Sequence, residues 1–306
     1  MRKKRFYPSK VMLVGEYGVV AGGSALTIPF RKFNARVRSI HDVPSGKEQE
    51  ARQSVHHLKA LLNYIKSKPE GSFNAVPDLD QFLAQVENHW LDMSIPIGYG
   101  LGSSGAVSAA VYDLFFSGAE SQSLIHKKED LANIESYFHG QSSGVDALTC
   151  YADVPLYFHT DGTIQTVEID PASFPGNYHF FLLDSGERFD TGPLVKHFLE
   201  SMQNPDFAAS IKSEYLPVNQ KLIEALTGVR EADPALLVRV LSDYQFTHFR
   251  KMIPSHALDL WIEGQVSNEY YLKLNGSGGG FMLGITHGTS MDTLANRWGE
   301  KLIWIE

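Results

Sequence analysis

A single cysteine, Cys150, is present, so no disulfide can close within the chain, and a reducing compartment is expected. Long apolar runs are missing too: none approaches the ~20 residues that a membrane-spanning helix needs. The basic opening, Arg2 to Arg5, leads into Phe6-Tyr7-Pro8-Ser9-Lys10, and Gly15, Glu16 and Gly18 break the apolar stretch that follows. That is a poor signal-peptide core, so Arg2 to Arg5 read as a solvated terminus and the protein as soluble and cytoplasmic. Positive charge is in deficit, with 27 Lys and Arg against 35 Asp and Glu and a net charge of −8. This excludes nonspecific attraction to nucleic acid or anionic membranes, though not an anionic small molecule in a locally positive pocket. The 12 histidines show no metal-ligand spacing, which argues against a structural zinc site. Repeats and low-complexity linkers are absent as well.

What remains is an ordinary globular composition, 43% hydrophobic and 20% charged, in 306 residues. That length suggests about two domains, expected here at 1–160 and 161–306. Val11 to Val14 reads as a buried strand closed by Gly15, and Ser24 to Phe30 and Asn34 to Ile40 continue a β-rich opening. Residues 41–50 are polar and loop-like. Val55, Leu58, Leu61, Leu62 and Ile65 recur at helical spacing, and Leu79, Phe82, Leu83 and Val86 suggest a second, shorter helix. Leu91 to Ile97 alternates like a strand, and another helix is expected over Lys128 to Phe138. In the second half, strands are expected at Gln165–Ile169 and His179–Leu183. Helices are expected at Gly192–Ser201, Asn219–Leu226, Pro234–His248 and Ser255–Val266. Two strands, Tyr270–Leu274 and Phe281–Ile285, face each other across a glycine run, and a short helix (Asp292–Trp298) and a last strand (Leu302–Ile305) close the chain.

The densest chemistry lies in Gly98-Tyr99-Gly100-Leu101-Gly102-Ser103-Ser104-Gly105, followed by the small residues 106–111. Strand, glycine-serine loop and small-residue helix together present backbone N–H groups to an anion. No lysine follows the last glycine, so this is not a Walker loop. Gly100, Gly102 and Gly105 spell G-x-G-x-x-G, but no acidic residue stands where a dinucleotide-binding fold needs one. Gly140, Ser142 and Gly144 match G-x-S-x-G, yet the residues before them read as helix rather than the strand that a nucleophile elbow requires. Asp146 follows this glycine-serine turn, and its residue type fits either a helix N-cap or a catalytic carboxylate. A third cluster, Asn275 to Gly280, lets one backbone pass close to another or to a ligand. Lys10, before the first strand, reads by itself as a surface residue.

In this order the pieces resemble the GHMP kinases (galacto-, homoserine, mevalonate and phosphomevalonate kinases). Ser9 to Gly23 looks like the family's first motif, Pro96 to Ser104 like its phosphate loop, and 273–280 like its third motif. His139-Gly140 with Ser143-Gly144-Val145-Asp146 is similar to the mevalonate kinase stretch that bears a catalytic aspartate.

The resemblance implies an α+β, two-domain fold. Its N-terminal domain would be like the second domain of ribosomal protein S5, with a left-handed βαβ unit. Its C-terminal domain would be ferredoxin-like, with the site between the two. It implies ATP and Mg2+ as cofactors, with ATP on Gly98, Gly100, Leu101, Gly102, Ser103, Ser104 and Gly105. Asp146 would be the general base and Lys10 would sit beside it, stabilising the developing charge. Ser104 and Glu135 would hold Mg2+. Glu16, Tyr17, Arg188, Thr191 and Gly278 are the expected acceptor contacts. A sugar acceptor is disfavoured because Glu16-Tyr17-Gly18-Val19 lacks the galactokinase signature. Gly15-Glu16-Tyr17 and the phosphate loop look more like phosphomevalonate kinases, and His139-Gly140 and Gly144-Val145-Asp146 more like mevalonate kinases. Asn275 stands where the third motif usually has threonine or serine. Mevalonate is the preferred acceptor and phosphomevalonate the alternative. Having Lys10, Ser104, Glu135 and Asp146 all present argues against a non-catalytic nucleotide binder. The expected partners are the small-molecule substrate and ATP, with no nucleic acid and no membrane, for a chain acting as a monomer or homodimer.

Overall fold

The first apolar run lengthens into β1 (Phe6–Val14), and the two short strands expected after it are one, β2 (Ala25–Ser39). The computed structural model describes residues 6–169, 174 and 176–306, so the basic Arg2–Arg5 stretch lies outside the described residues. In chain order there follow α1 (Glu48–Lys66), β3 (Val76–Pro77), α2 (Leu79–Val86), β4 (His89–Met93), α3 (Ser103–Phe115) and β5 (Phe116–Ser117). Next come α4 (Leu124–His139), α5 (Val145–Ala152), β6 (Leu156–Phe158), β7 (Ile164–Thr166) and β8 (Tyr178–Asp184). The remainder is α6 (Thr191–Ser201), α7 (Pro205–Ser210), α8 (Leu216–Leu226), α9 (Pro234–His248), α10 (Leu258–Ser267), β9 (Tyr270–Leu274), β10 (Phe281–His287), α11 (Met291–Trp298) and β11 (Leu302–Trp304).

Local chemistry explains many of the boundaries. Asp233 accepts from the N–H groups of Ala235 and Leu236, and Pro234 sits where a missing N–H costs nothing, so α9 starts where the sequence says it should. Asp78 caps α2 by accepting from Gln81 N, and Ser123 caps α4 by accepting from His126 N. Proline interrupts less than expected. Pro29 stays inside β2 because β6 pairs with Ala25–Thr27 and β4 with Ala35–Ser39, leaving the proline between the two ladders.

The chain divides into two compact units. One comprises the residues up to Lys10, Pro29–Pro96 and Gly102–Val154, and the other Val11–Ile28, Ile97–Leu101 and Pro155–Glu306. The first is built on helices α1 to α5, with Leu58, Leu61 and Leu62 of α1, Ala106, Ala109 and Ala110 of α3, and Leu131 and Ile134 of α4 all buried. The second holds a four-stranded antiparallel sheet in the order β11-β8-β10-β9. Counted along the chain, that is fourth, first, third, second: the ferredoxin-like arrangement, here with five helices, α6 to α10, between its first two strands. Its centre is Phe180–Leu183 against Leu283 and Ile285, nearly inaccessible side chains that contribute roughly 1.5–3 kcal/mol each on burial. A further sheet of five strands runs β1-β2-β6-β7, with β4 also on β2.

Candidate active site

In the first unit, one lysine and two carboxylates converge. Lys10 points its ammonium at Asp146, with Nζ 3.1 Å from Oδ2. The lysine side chain is 1% exposed, and the aspartate keeps 30% of its surface open. Asp146 is the second residue of α5, and Gly144, not Asp146, stands at the helix cap, so capping does not account for this carboxylate. Its position depends on Gly105 in α3, where a Cβ would lie 2.9 Å from the backbone of Asp146 and Ala147. Only glycine lets the two helices approach so closely.

Beside this pair, Glu135 of α4 is buried and held by two hydroxyls. Ser104 Oγ donates to Oε1 at 2.9 Å, and Ser142 Oγ donates to Oε2 at 2.5 Å. Burial first, and the negative charge of Asp146 second, raise the Glu135 pKa to about 7, against the pull of its hydrogen bonds and Lys10. A hard divalent cation suits such a place: hydroxyl and carboxylate oxygens are the ligands Mg2+ takes, and its charge would offset what burial penalises. His139 Nε2 lies 2.9 Å from Ser104 Oγ, and burial lowers its pKa. The N–H groups of Ser103, Ser104 and Gly105 open α3, where helix geometry leaves them without intrahelical partners at the positive end of the dipole. Cys150 is buried with Sγ 3.8 Å from the Gly102 carbonyl, and burial pushes its thiol pKa up, so it is a packing residue.

The second unit gathers a different set. Glu16 and Lys273 form an ion pair in which neither side chain is exposed. Tyr17 takes a positive φ of 57°, buries its ring against Phe198 and Phe249, and donates from its hydroxyl to the Ser277 carbonyl at 2.6 Å. Ser277 Oγ donates to Thr191 Oγ1 at 3.1 Å. Glu16 and Tyr17, expected as acceptor contacts, thus turn their polar atoms to the protein itself. Gly278 is a packing position, since a Cβ there would fall 2.3 Å from the Met252 carbonyl oxygen. Arg188 is exposed, with its guanidinium 5.6 Å from the centre of the Tyr99 ring. Gly98, Gly100 and Leu101 belong to this unit, with Asn275 Nδ2 donating to the Gly100 carbonyl at 3.4 Å. At Gly280 a Cβ would lie 2.2 Å from Tyr99 Cα, so the glycine run and the loop around Tyr99 are backbone against backbone.

Sequence reasoning used His139 only to place a motif, set Ser142 aside as a nucleophile, and gave Lys273 and Ser277 no role of their own. Ser142 and Ser277 lay within glycine-serine turns already singled out, so proximity was the available signal. Lys273 gave none.

A family model for the GHMP kinases N terminal domain matches residues 63–153. No curated protein matches the chain by sequence. Solved structures do match over the full length. Mevalonate kinase from L. major, in complex with R-mevalonate, is 15% identical, with 99% of this chain and 95% of that one covered and a TM-score of 0.62. Streptococcus pneumoniae phosphomevalonate kinase, with phosphomevalonate and AMPPNP, is 16% identical over 98% and 99%, also at 0.62. Lactococcus lactis galactokinase, complexed with galactose, is 9% identical over 99% and 93%, at 0.64. Residues 63–153 thus match the N-terminal domain of the GHMP kinases, and the chain as a whole has the two-domain fold of those structures.

Proposed function

We propose that this protein is an ATP-dependent kinase of a small-molecule hydroxyl, with mevalonate as the acceptor. The observation that carries the reading is the Lys10–Asp146 pair, in which the ammonium is enclosed and the carboxylate is open to a ligand. Phosphoryl transfer asks a protein chiefly to position the reactants and balance their charge. Asp146 Oδ accepts the proton of the attacking hydroxyl, and Lys10 offsets the charge that builds on that oxygen. The N–H groups of Ser103, Ser104 and Gly105, with the α3 dipole behind them, hold phosphate oxygens. Ser104 and Glu135 would hold Mg2+, which when bound neutralises phosphate charge. The division into 1–160, an N-terminal domain with the phosphate-binding loop, and 161–306, a C-terminal domain, is part of this proposal.

Two features support mevalonate: the His139-Gly140 and Gly144-Val145-Asp146 signature, and the fold shared with a mevalonate kinase solved with R-mevalonate. Phosphomevalonate is the second reading, supported by Gly15-Glu16-Tyr17 and the exposed Arg188 guanidinium, a cation suited to a phosphate. Coupled ADP release from Mg-ATP, tested with mevalonate, phosphomevalonate, galactose and homoserine, decides among them. Turnover of mevalonate alone supports the proposal, and turnover of phosphomevalonate alone replaces it with the second reading. No turnover with any of the four, while ATP still binds, removes both.

A further inference from the structure

The two oxygens of the buried Glu135 carboxylate are held by hydroxyls of different standing. Ser104 Oγ, on Oε1, comes from the first turn of α3 and is itself one of the oxygens assigned to a cation. Ser142 Oγ, on Oε2, comes from the turn between α4 and α5 and is used on both sides. It donates to Glu135 at 2.5 Å and accepts from Gly144 N at 3.0 Å. The turn has further anchors that do not involve the carboxylate. Ser142 N donates to Ser136 Oγ at 3.1 Å, and Ser136 Oγ donates to the Ala132 carbonyl at 2.7 Å. Gly144 lies so close to α4 that a Cβ there would fall 2.3 Å from the Lys128 carbonyl oxygen. The backbone of α4, rather than Glu135, therefore sets where the Ser142 hydroxyl stands.

A hydroxyl has one proton to give and two lone pairs to offer. With Glu135 ionised, Ser104 gives its proton to Oε1, so His139 Nε2 is the donor in their 2.9 Å contact and one lone pair of Ser104 remains. A cation that takes this lone pair meets Oε1, the oxygen Ser104 already touches, while Oε2 stays with Ser142. Such a carboxylate offers a metal one oxygen rather than two. Mg2+ needs short bonds in near-ideal octahedral geometry, whereas Ca2+ accepts both oxygens of one carboxylate, at longer distances and in flexible shells.

We propose that Ser142 is a positioning residue that sets metal selectivity: by holding Oε2 it keeps Glu135 a one-oxygen ligand and favours Mg2+ over Ca2+. It acts on the ligand and not on the reacting groups. The proposal rests on the reading above for placing a divalent cation at Ser104 and Glu135, and adds which cation that is and the residue that selects it. The serine between Gly140 and Gly144 thereby has a role that does not call for nucleophilic chemistry.

Ser142→Ala is the sharpest probe, because its N–H to Ser136 is kept and only the hydroxyl is lost. Mn2+ bound to the protein, alone and with a non-hydrolysable ATP analogue, is counted by electron paramagnetic resonance while Mg2+ or Ca2+ displaces it. Comparing variants cancels the nucleotide's own preference among the ions. In the unaltered protein Mg2+ should displace Mn2+ at lower concentration than Ca2+ does. Ser142→Ala should move the preference about tenfold towards Ca2+, the scale of one hydrogen bond, and Ser142→Thr, which keeps the hydroxyl, should restore it. Equal weakening of both ions in Ser142→Ala would mean that the hydroxyl only supports the turn, and it overturns the proposal, as does an unchanged preference. Glu135→Gln tests the cation site itself. If Mn2+ binding is lost there while Ser142→Ala leaves the preference unmoved, the site stands and Ser142 alone is removed. If Mn2+ binds the unaltered protein no more tightly than Glu135→Gln, the site and the role of Ser142 fall together. Turnover of none of the four acceptors ends the kinase reading, and the displacement titrations still decide Ser142.

Discussion

Lys10 with Asp146, and Lys273 with Glu16, put the same two chemical groups in contact in different surroundings. In the first pair the aspartate side chain is 30% exposed, and in the second both partners are at 0%. A carboxylate that stays open can receive a proton from a ligand and return it to water. A carboxylate closed in with its lysine can do neither, and its value is geometric: removing one partner leaves an uncompensated charge in the interior. Burial of charge alone therefore does not mark a catalytic residue. What separates the pairs is the exposure of the carboxylate side chain, together with a neighbouring carboxylate, Glu135, whose charge is itself disfavoured.

This contrast can be broken experimentally. The largest effect is expected at the open pair: Asp146→Asn should lower kcat by on the order of 10³- to 10⁴-fold, the scale of general-base catalysis. ATP affinity, measured by calorimetry, should change little, and normal turnover would remove Asp146 from the role. At the closed pair, Lys273→Met should cost about 3–5 kcal/mol of stability in denaturant unfolding. Lys10→Met, which leaves its carboxylate exposed to water, should cost clearly less. Equal losses would mean that exposure does not distinguish the pairs.

A smaller effect concerns Glu135. Its folded pKa of about 7 lies above the ordinary carboxylate value of 4.5, so the folded state holds a proton that the unfolded state releases. Its contribution to stability is therefore full below about pH 4.5 and is lost as the pH rises towards 7. Comparing the melting temperatures of the free protein and Glu135→Gln across that window should show a steeper decline in the unaltered chain. Parallel curves would mean that Glu135 ionises as easily folded as unfolded.

Much of this was legible in the sequence because it is local. The loop 98–105, α9 with its Asp233-Pro234 start, and the β9–β10 pair around the glycine run all carry their signals within a few residues. The four residues assigned to chemistry, Lys10, Ser104, Glu135 and Asp146, were named from motif order, and the fold brings them together. Other features are set at long range. β2 runs through Pro29 because of where its partners stop, and β6, three residues long, is too short for any periodicity to show. In Tyr270–Leu274, Lys273 reads as one polar residue of an alternating strand. All five positions are buried, and its partner stands 257 residues earlier in the chain. Nor does residue type reveal which way a side chain turns: nothing local told that Glu16 pairs with Lys273 or that the Tyr17 hydroxyl meets the Ser277 carbonyl.

Cys150 gives the molecule a built-in timer. It is the chain's only thiol, 1% exposed, packed against the carbonyl of Gly102 at the foot of α3, and disinclined to ionise. A thiol reagent in solution has nothing to attack while α5 stays docked, so the rate at which label accumulates counts how often that helix lets go. Slowing of the rate by nucleotide would give, from a single sulfur atom, a record of how ligand binding quiets the centre of the first unit. A cysteine introduced anywhere on the surface would label without competition from this one.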